Sequence, residues 1–424
     1  MDRAFTRGQP AALATIGSML VRGVPHAILL VGPGGVGKTT LALDLAAALL
    51  CINPDPSRRP CRECRGCRMV ASGNHPDLHG LAPDGPGGQI GIGGPDRPGR
   101  GVRDLIGELS LMPVEGGARV AIIEAADRLN EDAQSALLRT LEEPPTGVVI
   151  VLCAEDEERI LPTIHSRCAR IRLSPVGVRD VEEILAQAAL ADPPTATRLA
   201  RIASGRPGIA IAYAKAPEAA IIRAEIARTL LDLLGAGRTR RLTGVRDLLA
   251  RAAELVRVLD LPVGQGVPRR SPGSTRATSG RGRTVAGSAV AAAESAAAAS
   301  AAPTASTSVA AATTPEADAA DSSVRLPAAE RRRAAMTLIE IWREIVRDLA
   351  LVGIASGGTA AGLRGGVDLI DDLRDASERL PSPAAAVFLQ RLSRAGELVA
   401  GNVAPELVAD VLALAWRLPT RATA

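Results

Sequence analysis

The segment Gly32-Pro33-Gly34-Gly35-Val36-Gly37-Lys38-Thr39 decides the fold of this chain, because it has the spacing of a phosphate-binding loop. It follows an apolar run, 27–31, that predicts a buried strand, and it precedes a helical pattern over 40–50. In such a loop, backbone N–H groups and the positive end of the helix hold phosphate oxygens, and a lysine reaches the outer phosphates. A glycine-rich turn that binds nothing is the alternative. The candidate nucleotide-binding residues are Gly32, Gly34, Gly35, Val36, Gly37, Lys38, Thr39 and Thr40.

The composition allows a globular protein of about three domains and gives little sign of a nucleic-acid binder. The chain has 424 residues, 46% of them hydrophobic, and its 50 basic and 46 acidic residues leave a formal charge of +4. Aromatic residues make up 1%, so any contact with DNA or RNA is expected at the phosphate backbone and not through base stacking. The segment 1–10 lacks the apolar core of a signal peptide, and no membrane-spanning run occurs. We therefore predict a soluble, cytoplasmic protein without membrane association.

Four closely spaced cysteines form the pattern C-x9-C-x2-C-x2-C. Thiolates at this spacing can meet at one tetrahedral Zn²⁺ ion, and four of them leave no open position for water. We predict a structural zinc module over 51–67, beside which His75 and His79 are structural or solvent-facing side chains. Four free surface thiols are the alternative. The predicted zinc ligands are Cys51, Cys61, Cys64 and Cys67.

Strand and helix patterns alternate in the first part of the chain and predict a parallel sheet covered on both faces. One predicted strand ends in Glu124, a carboxylate that can hold Mg²⁺ together with Thr39. The next residue is Ala125, so the second carboxylate expected to activate an attacking water is missing. Asn130 is predicted to cap the following helix, and the Gly- and Pro-rich stretch 73–101 is predicted to be a loop.

From Ser174 onward the strand patterns disappear and helical patterns take over. They are interrupted by a long stretch of Ala, Ser, Thr, Gly and Pro, which cannot bury enough apolar surface to offset the entropy of ordering. Trp342 and Trp416 are predicted to fill a core. We predict a nucleotide-binding domain over 1–174, a helical lid with the first C-terminal helices over 175–262, a disordered linker over 263–327 and a helical domain over 328–420.

Several motifs resemble those of the δ′ subunits of bacterial DNA polymerase III clamp loaders, which belong to the AAA+ superfamily. The resemblance covers residues 8 to about 215 well, and the C-terminal part only in its helical character. It implies an α/β fold with an AAA+ P-loop parallel sheet, a zinc-knuckle insertion, a small helical lid and an all-α C-terminal collar. Its most specific pieces are Gly8-Gln9, His26-Ala27, the four cysteines, Asn74-His75-Pro76-Asp77, the run from Gln134 to Pro145, and Leu161 to Cys168.

The same resemblance implies a role in trans for Arg167. In clamp loaders the Ser-Arg-Cys motif, here 166–168, places an arginine finger in the ATP site of the neighbouring subunit. It further implies ATP, Mg²⁺ and Zn²⁺ as cofactors. The implied partners are γ/τ and δ subunits in a hetero-oligomeric ring, which acts on the sliding clamp and on primed DNA.

Two departures from the motor subunits of that family concern ATP hydrolysis. The γ/τ subunits carry an Asp-Glu pair where this chain has Glu124-Ala125, and a lid arginine where it has Gly208, with Arg206 nearby as a possible substitute. These differences predict a subunit that binds ATP, hydrolyses it poorly by itself and has no polymerase active site. The intact Lys38-Thr39 pair keeps a γ/τ-like ATPase motor open as the alternative.

Overall fold

The computed structural model describes residues 1, 3–83, 88–94, 99–115, 117–259, 327–354, 369–380, 382–401 and 403–417. The predicted linker, 263–327, lies outside these residues except for Pro327. All described elements belong to one unit, which consists of Met1–Arg270 and Leu326–Ala424. Among the described residues, no helix combines the length and the apolar character needed to cross a membrane.

The first part of the chain alternates between strands and helices, as predicted. The strands are β1 (Ala27–Val31), β2 (Leu78–Leu81), β3 (Arg119–Ile123), β4 (Val148–Ala154) and β5 (Ala169–Arg172). The helices of this part are α1 (Pro10–Arg22), α2 (Lys38–Leu49), α3 (Arg65–Ala71), α4 (Val102–Leu109), α5 (Glu131–Glu142) and α6 (Pro162–His165).

In the second part, every secondary-structure element that the structure describes is a helix. Its helices are α7 (Val178–Gln187), α8 (Pro193–Ile202), α9 (Pro207–Lys215), α10 (Pro217–Leu234), α11 (Arg238–Leu259), α12 (Ala328–Ile354), α13 (Ile370–Arg379), α14 (Ser382–Ala400) and α15 (Pro405–Ala415). The helical pattern over 209–234 is divided between α9 and α10, because Pro217 cannot continue a helix and instead begins a new one.

The five strands form one parallel sheet in the order β2-β3-β4-β1-β5. Every residue of β1 is buried, because alternate side chains point to opposite faces and both faces are covered. Leu30 packs in a core with Leu41 and Leu45 of α2, whereas Leu29 packs in a second core with Leu137 of α5. The continuous apolar run that predicted β1 is thus explained by burial on both sides.

The stretch 73–101 was wrongly predicted to be entirely loop, because it contains β2. This strand is short, and its sequence Leu-His-Gly-Leu lacks the β-branched residues that mark strands. Its place at the sheet edge is fixed by Asp77, whose backbone oxygen accepts a hydrogen bond from Val120 N at 2.8 Å. The Asp77 carboxylate is fully buried and accepts from Val114 N at 2.7 Å and Glu115 N at 3.0 Å.

The helical second part has its own apolar core, which centres on three aromatic rings. Trp342, Phe388 and Trp416 lie with ring centroids 4.7 to 5.7 Å apart, a spacing at which aromatic pairs attract. Trp416 Nε1 donates to Leu230 O at 2.7 Å, which ties the last described helix to α10. The prediction that the tryptophans fill a core is confirmed.

Asp44 of α2 holds the N-terminal segment and the cysteine module against the sheet. Its buried carboxylate accepts hydrogen bonds from Phe5 N at 3.0 Å, Thr6 N at 2.8 Å and Thr6 Oγ1 at 2.7 Å. It also forms an ion pair with Arg62, which belongs to the cysteine module. The helix that follows the phosphate-binding loop is therefore anchored from two sides.

We expect Asp44→Ala to lower the free energy of unfolding by about 3 kcal/mol, because it leaves two buried donors of Thr6, the partly buried Phe5 N–H and the Arg62 guanidinium without their acceptor. Asp371→Ala is the matched control. Its side chain is 92% exposed, and its change is expected within about 0.5 kcal/mol. Urea unfolding followed by circular dichroism measures both, and equal effects of the two substitutions would contradict this role of Asp44.

Candidate nucleotide site and cysteine cluster

The predicted phosphate-binding loop connects β1 to α2. Gly35 and Gly37 adopt φ angles of +75° and +105°, a backbone region open to glycine, and Gly37 is the residue from which α2 starts. Gly32 N donates to Ala154 O at 3.1 Å, so the loop begins in contact with the end of β4. A methyl group on Gly32 would lie 2.4 Å from Leu173 O. The glycines at these positions are therefore required by the backbone itself.

Lys38 is the buried cation of the loop. Its Nζ donates to Gly32 O at 2.7 Å and to Pro33 O at 2.9 Å, so the ammonium group is folded against the loop. Burial lowers the pKa of Lys38 below its ordinary value, against the opposing effect of Glu155, Cys153 and Asp127. Of the other predicted nucleotide-binding residues, Val36 is buried, Thr39 is half-buried and Thr40 is exposed.

Carboxylates gather at the same sheet edge, because the carboxyl ends of parallel strands meet there. Glu124 follows β3, as predicted for a magnesium ligand, and its N–H donates to Leu81 O at 2.8 Å. Ala125 has a φ of +52°, which turns the chain so that Asp127 can accept a hydrogen bond from Glu155 N at 3.3 Å. Asp127 and Glu155 are residues that the sequence analysis missed. The available signal was their place after buried strands, since Glu155 directly follows β4 and Asp127 lies shortly after β3.

The thiol of Cys153, near the end of β4, is within electrostatic reach of the Lys38 ammonium group and of two carboxylates. Burial raises the pKa of Cys153 to about 12, Lys38 opposes this rise, and Glu124 and Asp127 add to it. Lys38, Glu124 and Asp127 are therefore all within electrostatic reach of Cys153 in β4. The structure therefore brings together the two residue types that a nucleotide with Mg²⁺ requires, a cation beside a glycine loop and a carboxylate at the strand end.

The helical lid contacts the loop through Gly208. Gly208 N donates to Gly35 O at 2.8 Å, and a methyl group on Gly208 would lie 3.1 Å from Gly35 Cα. A larger residue here would push the lid off the loop. Arg206, the possible substitute for a lid arginine, instead forms ion pairs with α12, with Glu344 at 2.9 Å and Glu340 at 3.6 Å.

Arg167 lies at the opposite sheet edge from the phosphate-binding loop. It precedes β5, which pairs in parallel with β1 so that Ala169 is near Ile28 and Arg172 is opposite Val31. The loop follows Val31, and the length of β5, about 10 Å at 3.3 Å per residue, separates the two ends. The Arg167 guanidinium is 34% exposed and forms an ion pair with Glu142 at 2.7 Å. The structure therefore keeps Arg167 apart from the nucleotide site of its own chain.

Gln134 holds the segment that leads to Arg167. Its buried amide accepts from Leu161 N at 2.8 Å and donates to Arg159 O at 3.0 Å and Leu129 O at 3.1 Å. Two of these bonds connect α5 to the segment before α6, and the third connects α5 to Leu129 in the turn that precedes it. The glutamine belongs to the run that sequence comparison singled out, but its bonding role was not predicted.

The four predicted zinc ligands form one cluster. Their Sγ atoms all lie within 4.8 Å of one another, with Cys51 to Cys64 at 3.8 Å and Cys61 to Cys67 at 3.9 Å. Four sulfurs around a tetrahedral zinc, with Zn–S bonds of about 2.3 Å, are separated by roughly 3.8 Å. Cys64 also caps α3, since its Sγ accepts from Cys67 N at 3.3 Å. The sulfurs thus have the spacing that one zinc ion requires.

The environment of Cys61 favours a thiolate. Burial raises the pKa of its thiol, but hydrogen bonds from the backbone N–H groups of Glu63 and Cys64 and from neighbouring thiols outweigh this and lower the pKa to about 6. Burial raises the pKa of Cys168 to about 12, so that thiol stays protonated near neutral pH. Within the cluster, burial raises the pKa values of Cys51 and Cys67, so the lowered pKa is a property of Cys61 and not of the whole donor set.

His75 and His79, which lie near the cysteine cluster in sequence, were predicted to be either structural or solvent-facing. They are structural, and the solvent-facing alternative is wrong. Both side chains are buried. His75 Nδ1 accepts from Asp77 N at 3.1 Å, and burial lowers the pKa of this histidine despite the neighbouring Glu115 and Asp77. His79 Nδ1 lies 2.6 Å from Glu108 Oε2. One ring nitrogen of each histidine is thus bonded within the protein, whereas His79 Nε2 is buried and has no hydrogen-bond partner among the described residues.

The parallel sheet, the glycine loop after β1 and the helical C-terminal part together define an α/β protein with a P-loop-type glycine loop. The predicted α/β fold, with its parallel sheet, its cluster of four cysteines and its all-helical C-terminal part, is confirmed.

Within that class, residues 8–177 match the sequence family described as DNA polymerase III, delta subunit. The DNA polymerase III subunit delta′ of Pseudomonas aeruginosa is 38% identical over 183 residues, which are 43% of this chain and 53% of that relative. Subunit delta′ of Bacillus subtilis is 36% identical over 160 residues, 38% of this chain and 45% of the relative. DNA polymerase III subunit tau of Escherichia coli is 33% identical over 205 residues, 47% of this chain and 30% of the relative.

The chain thus spans about half the length of the curated delta′ relatives that it matches. Over that N-terminal region, the resemblance to clamp-loader subunits is confirmed.

We expect the purified chain to contain one zinc ion per molecule, and Cys64→Ser to lose most of it, because three remaining thiolates no longer fill the tetrahedral shell. Cys168→Ser is the matched control and is expected to keep the metal. Elemental analysis by mass spectrometry measures the zinc content. A wild-type chain without zinc, whose four clustered thiols all react freely with a thiol reagent, would contradict the assignment.

Proposed function

We propose that this protein is a δ′-type subunit of a bacterial clamp loader, which binds ATP and contributes Arg167 to the nucleotide site of a neighbouring subunit. In this proposal γ/τ and δ subunits complete the ring, which loads the sliding clamp onto primed DNA in the cytoplasm. The named relatives support the class of complex, because they are delta′ and tau subunits of DNA polymerase III. The proposed domain organisation is a nucleotide-binding domain over 1–174, a helical lid after it, and a helical collar over 328–420.

The observation that carries the proposal is the position of Arg167. It is partly exposed and lies at the sheet edge opposite the glycine loop of its own chain. A guanidinium at that place can reach a phosphate only if another molecule presents one. There it would neutralise the charge that develops on the transferred phosphoryl group, which is the effect of arginine fingers in phosphoryl transfer. The ion pair with Glu142 keeps the side chain extended along the surface until a phosphate replaces the carboxylate.

The chain's own site is proposed to hold ATP without efficient hydrolysis. Lys38 and the loop amides would bind the phosphates, and Glu124 with Thr39 would hold Mg²⁺. When bound, the metal would neutralise phosphate charge and fix the orientation of the nucleotide. Ala125 supplies no carboxylate to accept a proton from water, so the general base expected for rapid hydrolysis is missing at that position.

The cysteine cluster is proposed to be a structural zinc site. Four thiolates leave no coordination position for a substrate, and Arg62 of the module is bound by Asp44 of α2. Zinc would therefore stabilise the insertion against the helix that follows the nucleotide loop.

We expect the isolated chain to bind ATP with little steady-state turnover and Lys38→Ala to weaken binding at least tenfold, because the buried ammonium is the cation of the loop. Lys215→Ala, at the end of α9, is the matched control and is expected to bind like the wild type. Fluorescent-nucleotide titration and phosphate release measure the two properties. Substantial turnover that Lys38→Ala abolishes would instead favour a γ/τ-like motor.

We expect Arg167→Ala to leave ring assembly intact and to slow hydrolysis at the neighbouring site by about 10³-fold or more, the usual contribution of an arginine finger. The control is Arg170→Ala, which removes an exposed arginine paired with Glu157. The measurement is single-turnover hydrolysis in a reconstituted ring in which only the neighbour of this chain can hydrolyse ATP. Assembly is followed by size-exclusion chromatography. An unchanged rate in an intact ring would overturn the role of Arg167.

A further inference from the structure

Glu155 lies directly against the glycine loop. A methyl group on Gly34 would be 2.7 Å from Glu155 Oε1 and 3.3 Å from Oε2, so the carboxylate fills the space beside that glycine. Two hydrogen bonds fix its backbone. Gly32 N donates to Ala154 O at 3.1 Å, and Glu155 N donates to Asp127 Oδ1 at 3.3 Å. The carboxylate is therefore part of the mouth of the phosphate-binding loop.

Carboxylates lie near the cation of the loop. Lys38 lies within electrostatic reach of Glu155 and Asp127, and both carboxylates act on the same ammonium group that a nucleotide would use. Arg206 is close to the loop in space, since a methyl group on Gly35 would lie 3.7 Å from Arg206 Cβ. Its guanidinium, however, is bound by Glu344 at 2.9 Å and faces Glu340 at 3.6 Å. The positive charge available to an incoming anion is therefore partly neutralised by the protein itself.

We propose that Glu155 is a specificity residue of this site, which disfavours a nucleoside triphosphate relative to a nucleoside diphosphate. The inference rests on the proposed nucleotide site and adds a preference to it. A P-loop lysine acts on the outer phosphates, so a carboxylate that shares this lysine opposes the last phosphate most. A triphosphate also carries more negative charge than a diphosphate, and like charges at close range repel.

The preference has a consequence for the proposed ring. A site with such a preference holds ATP while ATP is in large excess and takes up the diphosphate as the ratio of ATP to ADP falls. Gly208 contacts the loop on one side and Glu155 lies beside it on the other. The nucleotide state of this subunit in the proposed ring would then follow that ratio.

The test is a titration of the purified full-length chain with ADP and with ATP, each in the presence of Mg²⁺, followed by isothermal calorimetry. The wild type is expected to bind ADP about tenfold more tightly than ATP. Glu155→Gln keeps the shape and removes the charge, and it is expected to raise the affinity for ATP about tenfold and that for ADP less than threefold. Glu158→Gln, an exposed carboxylate of the same loop, is the control and is expected to keep the wild-type preference.

The outcomes separate this inference from the proposed function. If wild type and Glu155→Gln both bind with the same ratio of affinities, Glu155 does not set the preference, and the nucleotide site itself stands. If Glu155→Gln lowers the affinity for ATP, the carboxylate assists triphosphate binding, for example as a ligand of Mg²⁺, and the inference is wrong. If neither protein binds either nucleotide, the inference fails together with the proposed site.

Discussion

Strand β1 is hydrogen-bonded on both sides by strands that run in its own direction, β4 on one side and β5 on the other. Because all strands of this sheet are parallel, their carboxyl ends lie at one edge of the sheet and their amino ends at the opposite edge. The glycine loop, Glu124 and Glu155 follow strands and therefore share one edge, whereas Arg167 precedes a strand and lies at the other. The separation between the proposed nucleotide site and Arg167 follows from this single constraint.

The elements buried on both faces could be predicted from the sequence, because their apolar runs have no other explanation. This holds for strands β1, β3 and β4. The cap of α5 was predictable from residue type, because asparagine is a favoured N-cap, and Asn130 Oδ1 does accept a hydrogen bond from Ala133 N at 2.8 Å. Strand β2 could not be predicted, because its place depends on the distant partners of Asp77. The cysteine cluster was predictable because the four cysteines are close in sequence and because four thiolates bind zinc in one arrangement, the tetrahedron.

The sequence was sufficient to predict the cation and the glycines of the candidate nucleotide site, but not the side chains that surround them. The motif identifies Lys38, since spacing and residue type suffice for it. It says nothing of Glu155, which reaches the loop from the end of β4, or of Glu344, which binds Arg206 from α12 across 138 residues of sequence. These contacts set the electrostatics of the site, and only the packing of the chain brings them together.

The central claim is that Arg167 serves a nucleotide held by another subunit. A cryo-electron microscopy structure of the chain assembled with γ/τ- and δ-type partners and a non-hydrolysable ATP analogue tests it most directly. The account predicts the Arg167 guanidinium released from Glu142 and within hydrogen-bonding distance, about 3 Å, of the neighbour's terminal phosphate. An assembled ring in which Arg167 remains paired with Glu142 and no neighbouring nucleotide faces it would contradict the claim.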